Sequence, residues 1–169
     1  MKNFLYLCLF FLLCYNIAEA QTNVNIPGPE NVLVVYNKNV ALSDSIKNYY
    51  KNARNIPESN IVELTLPDST EITVDNITHW VGIRQETDMI RDLYNHSIKT
   101  WYATEHSWKY FLNYVANPIK EHINNHNLTS TIRYIVLCKG VPSKIQAGGD
   151  FSMCNGNVAV AGLLSMYNA

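Results

Sequence analysis

Lys139 followed by Gly140, just after an apolar run that ends at Cys138, is the pair in this chain best suited to hold a ligand. A flexible backbone beside a cation can grip an anionic or carbonyl group. Two further polar sets follow apolar runs: Tyr36-Asn37-Lys38-Asn39 and Leu66-Pro67-Asp68-Ser69. If the three runs are parallel strands of one sheet, these sets converge, because open parallel sheets bind ligands beyond the carboxyl ends of their strands. Asn37, Asp68, Lys139 and Gly140 are therefore the candidate ligand-binding residues. The plainer alternative makes Lys139 a solvated residue of an ordinary turn.

Other patterns carry less. His122 and His126 stand at i, i+4, the spacing of zinc-protease helices, but Asn replaces the glutamate that would act as general base. Two imidazoles fall short of the three protein ligands of a catalytic zinc, and exposed helix-end histidines are the simpler reading. No metal and no cofactor is expected. His79, His96 and His106 fall in a loosely patterned middle and receive no role. Cys138 would need a histidine within hydrogen-bond reach to act as a nucleophile, so a small buried core residue is the simpler reading. Cys154, in a Gly-rich stretch, is the more exposed thiol. The two could also pair as a disulfide. A Gly-x-Gly-x-x-Gly fingerprint, a Walker loop and a Gly-x-Ser-x-Gly elbow are all missing. Trp80, Trp101 and Trp108 could stack sugars, or simply serve core and rim. No catalytic residue is assigned.

The elements that must position the candidates begin with Asn31–Asn37, a β-branched run without alternation, as in a strand buried on both faces. A helix follows, with Ser43 as N-cap, Asp44 at its positive end and Ile46, Tyr49, Tyr50 and Ala53 on one face. It ends near Asn55, ahead of Pro57. Asn60–Leu66 reads as a second strand, giving a βαβ unit. Glu86–Tyr94 has a helical grouping of Met89, Ile90, Leu93 and Tyr94. Thr104 caps a stronger helix with Trp108, Phe111, Leu112 and Val115. Asn117-Pro118 predicts a break or kink and a further helical piece to about His126. Ile132–Cys138 is the third strand. After a Gly-Gly turn, Val158–Met166 is the last apolar run. The fold class is thus α/β, a three-layer sandwich with a mainly parallel sheet.

Lys2, the apolar run Phe4–Leu13 and the small-x-small ending Ala18-Glu19-Ala20 form a secretory leader over residues 1–20, too short for a membrane span. Residues 21–30, with Pro27-Gly28-Pro29, read as a polar leash, and residues 31–169 as one α/β domain. The expected location is secreted or periplasmic. Removing the leader leaves about 149 residues, room for one domain with a real core. A net charge of −1 with no basic stripe gives nucleic acid no footing, and no second long apolar run anchors the mature chain in a membrane. Three sequons, at Asn76, Asn95 and Asn127, matter only in a eukaryotic host.

Several segments together resemble an uncharacterised secreted prokaryotic family associated with bacteria that carry the exosortase protein-sorting system. They are Asn31-Val32-Leu33-Val34-Val35-Tyr36-Asn37, then Tyr49-Tyr50 with Arg54-Asn55-Ile56-Pro57 and Asn60-Ile61-Val62, and later Tyr134 to Pro142. The last resembles a Leu-Thr-Lys-Gly-Val-Pro signature, with Cys138 in place of Thr. The resemblance covers most of Asn31 to Ile145, with an insertion from about Val81 to Thr104. It implies a longer protein of which this chain is an N-terminal fragment, and carries no established activity. More distantly, the opening looks like the caspase-like fold of gingipain-type cysteine peptidases. The leading expectation is a binding or cell-envelope module whose rim meets a protein or small-molecule ligand. The alternatives are a caspase-like hydrolase with catalytic residues partly beyond Ala169, and a glycan-binding module.

Overall fold

The structure is a computed structural model that describes residues 27–84, 86–93, 101–146 and 157–167. The leader, Cys154, His96 and the Gly-Gly turn lie outside the described residues. The leash ends in a single 3-10 turn, Pro29–Asn31. Asn31 fastens this turn to the domain, its Nδ2 donating to the Thr131 carbonyl at 2.8 Å.

The three apolar runs form the strands they predict, slightly shorter: β1 (Val32–Asn37), β2 (Ile61–Leu64) and β6 (Tyr134–Leu137). They make one sheet in the order β2-β1-β6, and both pairings are parallel, with Val34 opposite Ile61 and Val136. The absence of alternation in β1 has a direct cause: its residues Leu33 to Tyr36 are all buried. Val34 and Tyr36 pack with Ile46 and Tyr50 of helix α1 (Ala41–Arg54), while Leu33 and Val35 belong to the larger core with Phe111, Val115 and Ile119. Each buried aliphatic side chain of this kind contributes about 1.5–3 kcal/mol of hydrophobic stabilisation.

Helix α1 ends as expected, on Asn55 in the left-handed conformation (φ 53°), with the Ile56 N–H bonded to the Lys51 carbonyl at 3.0 Å. Its start differs from expectation. Val40, not Ser43, is the N-cap residue, and Ser43 lies inside the first turn, wholly buried. The Ser43 hydroxyl is drawn inward because it has a stronger claim on it: the Asn37 N–H donates to Ser43 Oγ at 2.9 Å.

The expectation of a mainly parallel sheet holds for one sheet of two. The second sheet has five strands in the order β3-β4-β5-β7-β8. β3 (Ser69–Val74) and β4 (Ile77–Arg84) form a hairpin across Asp75-Asn76, both at positive φ (48° and 64°), as a two-residue type I′ turn requires. β5 (Met89–Asp92) pairs antiparallel with β4 and parallel with β7 (Lys144–Gln146), which pairs antiparallel with β8 (Asn157–Ala159). The helical reading of Glu86–Tyr94 is therefore wrong over residues 86–93, Tyr94 lying outside the described residues. Residues 86–88 form a turn, Asp88 takes positive φ (48°), and Ile90 enters the core from a strand bonded on both sides. Four residues are too few to separate a period of 2 from one of 3.6.

Helix α2 (Trp101–Phe111) runs through a π-helical segment, Leu112–Ala116, into α3 (Asn117–Asn125). Thr104 lies within α2 rather than ahead of it, and Asn117 is helical rather than an N-cap. The disturbance expected at Pro118 takes the form of the π turn. Proline has no N–H for the carbonyl four residues back and crowds it, so the ladder widens just ahead of it. The Asn117 N–H reaches the Leu112 carbonyl instead. Helix α3 ends through Asn127 at φ 55°, with the Leu128 N–H on the Ile123 carbonyl at 2.9 Å. The last apolar run becomes β8 and α4 (Val160–Tyr167). Among the described residues no helix is long and apolar enough to cross a membrane.

Candidate functional site

The chain leaves β1 at Asn37, which is almost wholly buried and serves as a three-way backbone clamp. Its N–H donates to Ser43, its Nδ2 donates to the Gly140 carbonyl at 3.1 Å, and its Oδ1 accepts the Asn39 N–H at 3.1 Å. Asn39 continues the stitching, its Nδ2 donating to the Leu66 carbonyl at 2.8 Å. The connections after β1, β2 and β6 are thus joined by amide side chains, each bonding backbone groups that would otherwise go unpaired.

After β6 the chain turns sharply. The Val141 N–H donates to the Cys138 carbonyl at 3.0 Å, with Lys139 and Gly140 between them. Gly140 has φ +99°, the conformation that the third position of a type II turn demands. A Cβ there would stand 3.1 Å from Val40 and 3.3 Å from the Ser43 Cβ. This glycine is therefore fixed by both dihedral and space.

Asp68 arrives from the far side of β2. The Tyr110 hydroxyl donates to the Pro67 carbonyl at 2.6 Å, and the Ile83 N–H donates to the Asp68 carbonyl at 3.1 Å. Gly82 allows that close approach, since a Cβ on it would meet the Asp68 oxygen at 2.0 Å.

All four sequence candidates, Asn37, Asp68, Lys139 and Gly140, line one cleft of about 230 Å³. Val40, Leu42, Ile83 and Pro142 supply apolar walls, and Asp88 is the polar residue that sequence reasoning missed. Asp88 comes from the turn before β5, in the segment misread as helix, so no signal pointed to it. Its carboxylate accepts from Lys139 Nζ at 2.9 Å, both groups being partly exposed. Such a pair is worth about 0–1 kcal/mol and exchanges readily for a ligand. One ammonium and two carboxylates therefore edge a partly apolar cleft. A zwitterionic or polar neutral molecule complements that charge pattern better than a simple anion.

The remaining candidates are placed elsewhere. Cys138 is buried beside Val34, Tyr36 and Ile56, and burial pushes its thiol pKa up, with Lys47 pulling weakly the other way. A protonated, enclosed thiol is a poor nucleophile. On α3, His122 Nε2 donates to the Ser59 carbonyl at 2.7 Å, and at its C-cap His126 Nδ1 donates to the His122 carbonyl at 2.9 Å. Their rings stack at 4.1 Å. Each histidine thus spends a ring nitrogen on backbone. Trp80 is half exposed on β4, and Trp108 packs against Phe111 with ring centroids 5.2 Å apart.

A second polar group lies under α2. His79, Asp92 and His106 each offer a donor atom, and these atoms lie within 4.8 Å of one another. The cleft shares none of these residues. Neither family models, nor curated proteins, nor solved structures give a match to this chain.

Proposed function

We propose that this chain is an exported α/β module that binds a small polar ligand in the cleft at the carboxyl ends of β1, β2 and β6. The observation that carries the reading is the convergence of Asn37, Asp68, Lys139 and Gly140 from three separate connections onto one cavity. Parallel sheets expose backbone and loop groups at that edge, which is why ligands collect there. A cavity of about 230 Å³ suits a molecule of amino-acid or monosaccharide size. Lys139 would meet a carboxylate or carbonyl of the ligand, and Asp68 and Asp88 its amine or hydroxyl groups. The layered arrangement belongs to the same proposal. Packing of α1 against one face of β1, and of the α2–α3 run against the other, supports it. The leader at residues 1–20 and the resemblance to a secreted prokaryotic family support an extracytoplasmic setting.

Amide spectra (¹H–¹⁵N) recorded against a panel of free amino acids, dipeptides and uronic acids test the reading. The expected result is saturable shifts at Asn39, Lys139 and Gly140 with one chemical class, weakened about tenfold or more in Lys139→Ala, the loss of one charged hydrogen bond. Shifts that map to other surfaces, or affinity unchanged in Lys139→Ala, would remove the cleft from the proposal.

A further inference from the structure

We infer that His79, Asp92 and His106 form a binding site for one divalent transition-metal ion of the zinc class. The site is built by topology. In the β4–β5 pairing Val81 stands opposite Asp92, so His79, two residues before Val81, shares a sheet face with Asp92 as its diagonal neighbour. Helix α2 packs across β3, β4, β5 and β7 and brings His106 onto that face. Asp92 and His106 are wholly buried, and the His79 side chain is 14% exposed. The two imidazoles stack, with centroids 4.2 Å apart and planes 13° from parallel.

The donor chemistry is defined. His106 Nε2 lies 2.9 Å from the Ile77 carbonyl, which can only accept, so Nε2 donates to it. A ligating histidine whose other ring nitrogen donates to a backbone carbonyl is the usual outer-shell arrangement of metal sites. His79 Nδ1 lies 2.5 Å from Asp92 Oδ2, a separation that needs a proton between them. The cation would take that proton's place. Two neutral imidazoles and one carboxylate offset one charge of a divalent ion, and N and O donors of this kind suit zinc or cobalt better than calcium. Tetrahedral coordination needs donors about 3.4 Å apart with their lone pairs converging, so the group, now within 4.8 Å, must close on the ion and the two stacked rings must turn edge-on to it. The exposed edge of His79 gives the ion its way in and leaves a fourth position for water.

Titration of the chelator-treated full chain with Co²⁺, followed by Zn²⁺ displacement, tests the site. The expected result is one equivalent of Co²⁺ with visible tetrahedral bands at micromolar affinity, bleached by Zn²⁺. Asp92→Asn and His106→Gln should each weaken binding about 100-fold, whereas a His122→Gln, His126→Gln double variant should bind as the parent does. Absence of the bands, binding that survives both single variants, or binding lost in the double variant would each overturn the assignment. Where a single variant does not fold, imidazole ¹H–¹⁵N spectra of the unaltered chain decide. Zn²⁺ must shift the resonances of His79 and His106 and leave those of His122 and His126 in place, and the opposite pattern overturns the site.

Discussion

Replacement of Ser43 separates the observed role of this residue from the one its sequence position suggests. Ser43→Ala removes a single oxygen and leaves the buried Asn37 N–H without its 2.9 Å partner. A buried donor stripped of its acceptor costs about 1–3 kcal/mol, and alanine's better helix propensity returns about 0.5 kcal/mol. The net loss is about 0.5–2.5 kcal/mol, or about 1–10 °C in melting temperature for a chain of this size. A serine N-cap would give a loss of similar size, so the alanine variant alone does not discriminate. Ser43→Asp does, because aspartate is as good an N-cap as serine. In the buried position beside Gly140 it forces a carboxylate into a closed space and costs more than about 3 kcal/mol. Urea unfolding followed by circular dichroism measures both. The midpoint should fall in the order parent, Ser43→Ala, Ser43→Asp with the slope unchanged. Faster amide exchange at Asn37 should accompany the alanine variant. A Ser43→Asp protein as stable as the parent would refute the clamp and restore Ser43 to the helix start.

Gly140→Ala should lose about 1–3 kcal/mol, since its φ of +99° is strained for any side chain and the new methyl meets Val40; a thermal melt unchanged from the parent would mean the turn has another conformation. Gly82→Ala should be worse, because its methyl meets backbone rather than a flexible side chain, and retention of the parental midpoint would disprove the close approach to Asp68. Stability should decline in alkali. Tyr36 is pushed up to about 12 by its hydrogen bond to Glu63 and then by burial. Tyr110 is raised by burial first, and Cys138 likewise. All three hold their protons more tightly when folded, so their contribution is complete below the unfolded values, about 8.5 for a thiol and 10 for a phenol, and is lost as pH rises through the folded ones. Absorbance at 295 nm should show Tyr36 and Tyr110 ionising late, together with unfolding, and early titration of every tyrosine would contradict the burial. Iodoacetamide at neutral pH should label Cys138 only after denaturant is added, and rapid labelling of the folded chain would contradict its enclosure.

The parallel sheet was legible because burial on both faces writes an uninterrupted β-branched run, and Val32 to Tyr36 has no polar residue to break it. The rim residues followed from a topological rule: once the strands point one way, Asn37, Asp68 and Lys139 must share an end. The second sheet was not read, although Asp75-Asn76 between Thr-Val and Ile-Thr carried a hairpin signal. Only Ile72 on β3 is buried, so its pattern of burial is faint. β5 was lost because Met89, Ile90 and Leu93 satisfy a helical spacing as well as a strand's. His79, Asp92 and His106 were invisible as a group, since only the crossing of α2 over the β4–β5 pair brings them together.

The division of labour at the cleft has an evolutionary reading. Its frame is held by main-chain geometry and by Asn37, while Lys139 and Asp68 project from the rim and belong to neither hydrophobic cluster. Under the proposed function, randomising those two positions should therefore retune ligand selectivity at little cost in foldability. Asp88 is less free, because its left-handed backbone confines a library there to Asp, Asn and Gly.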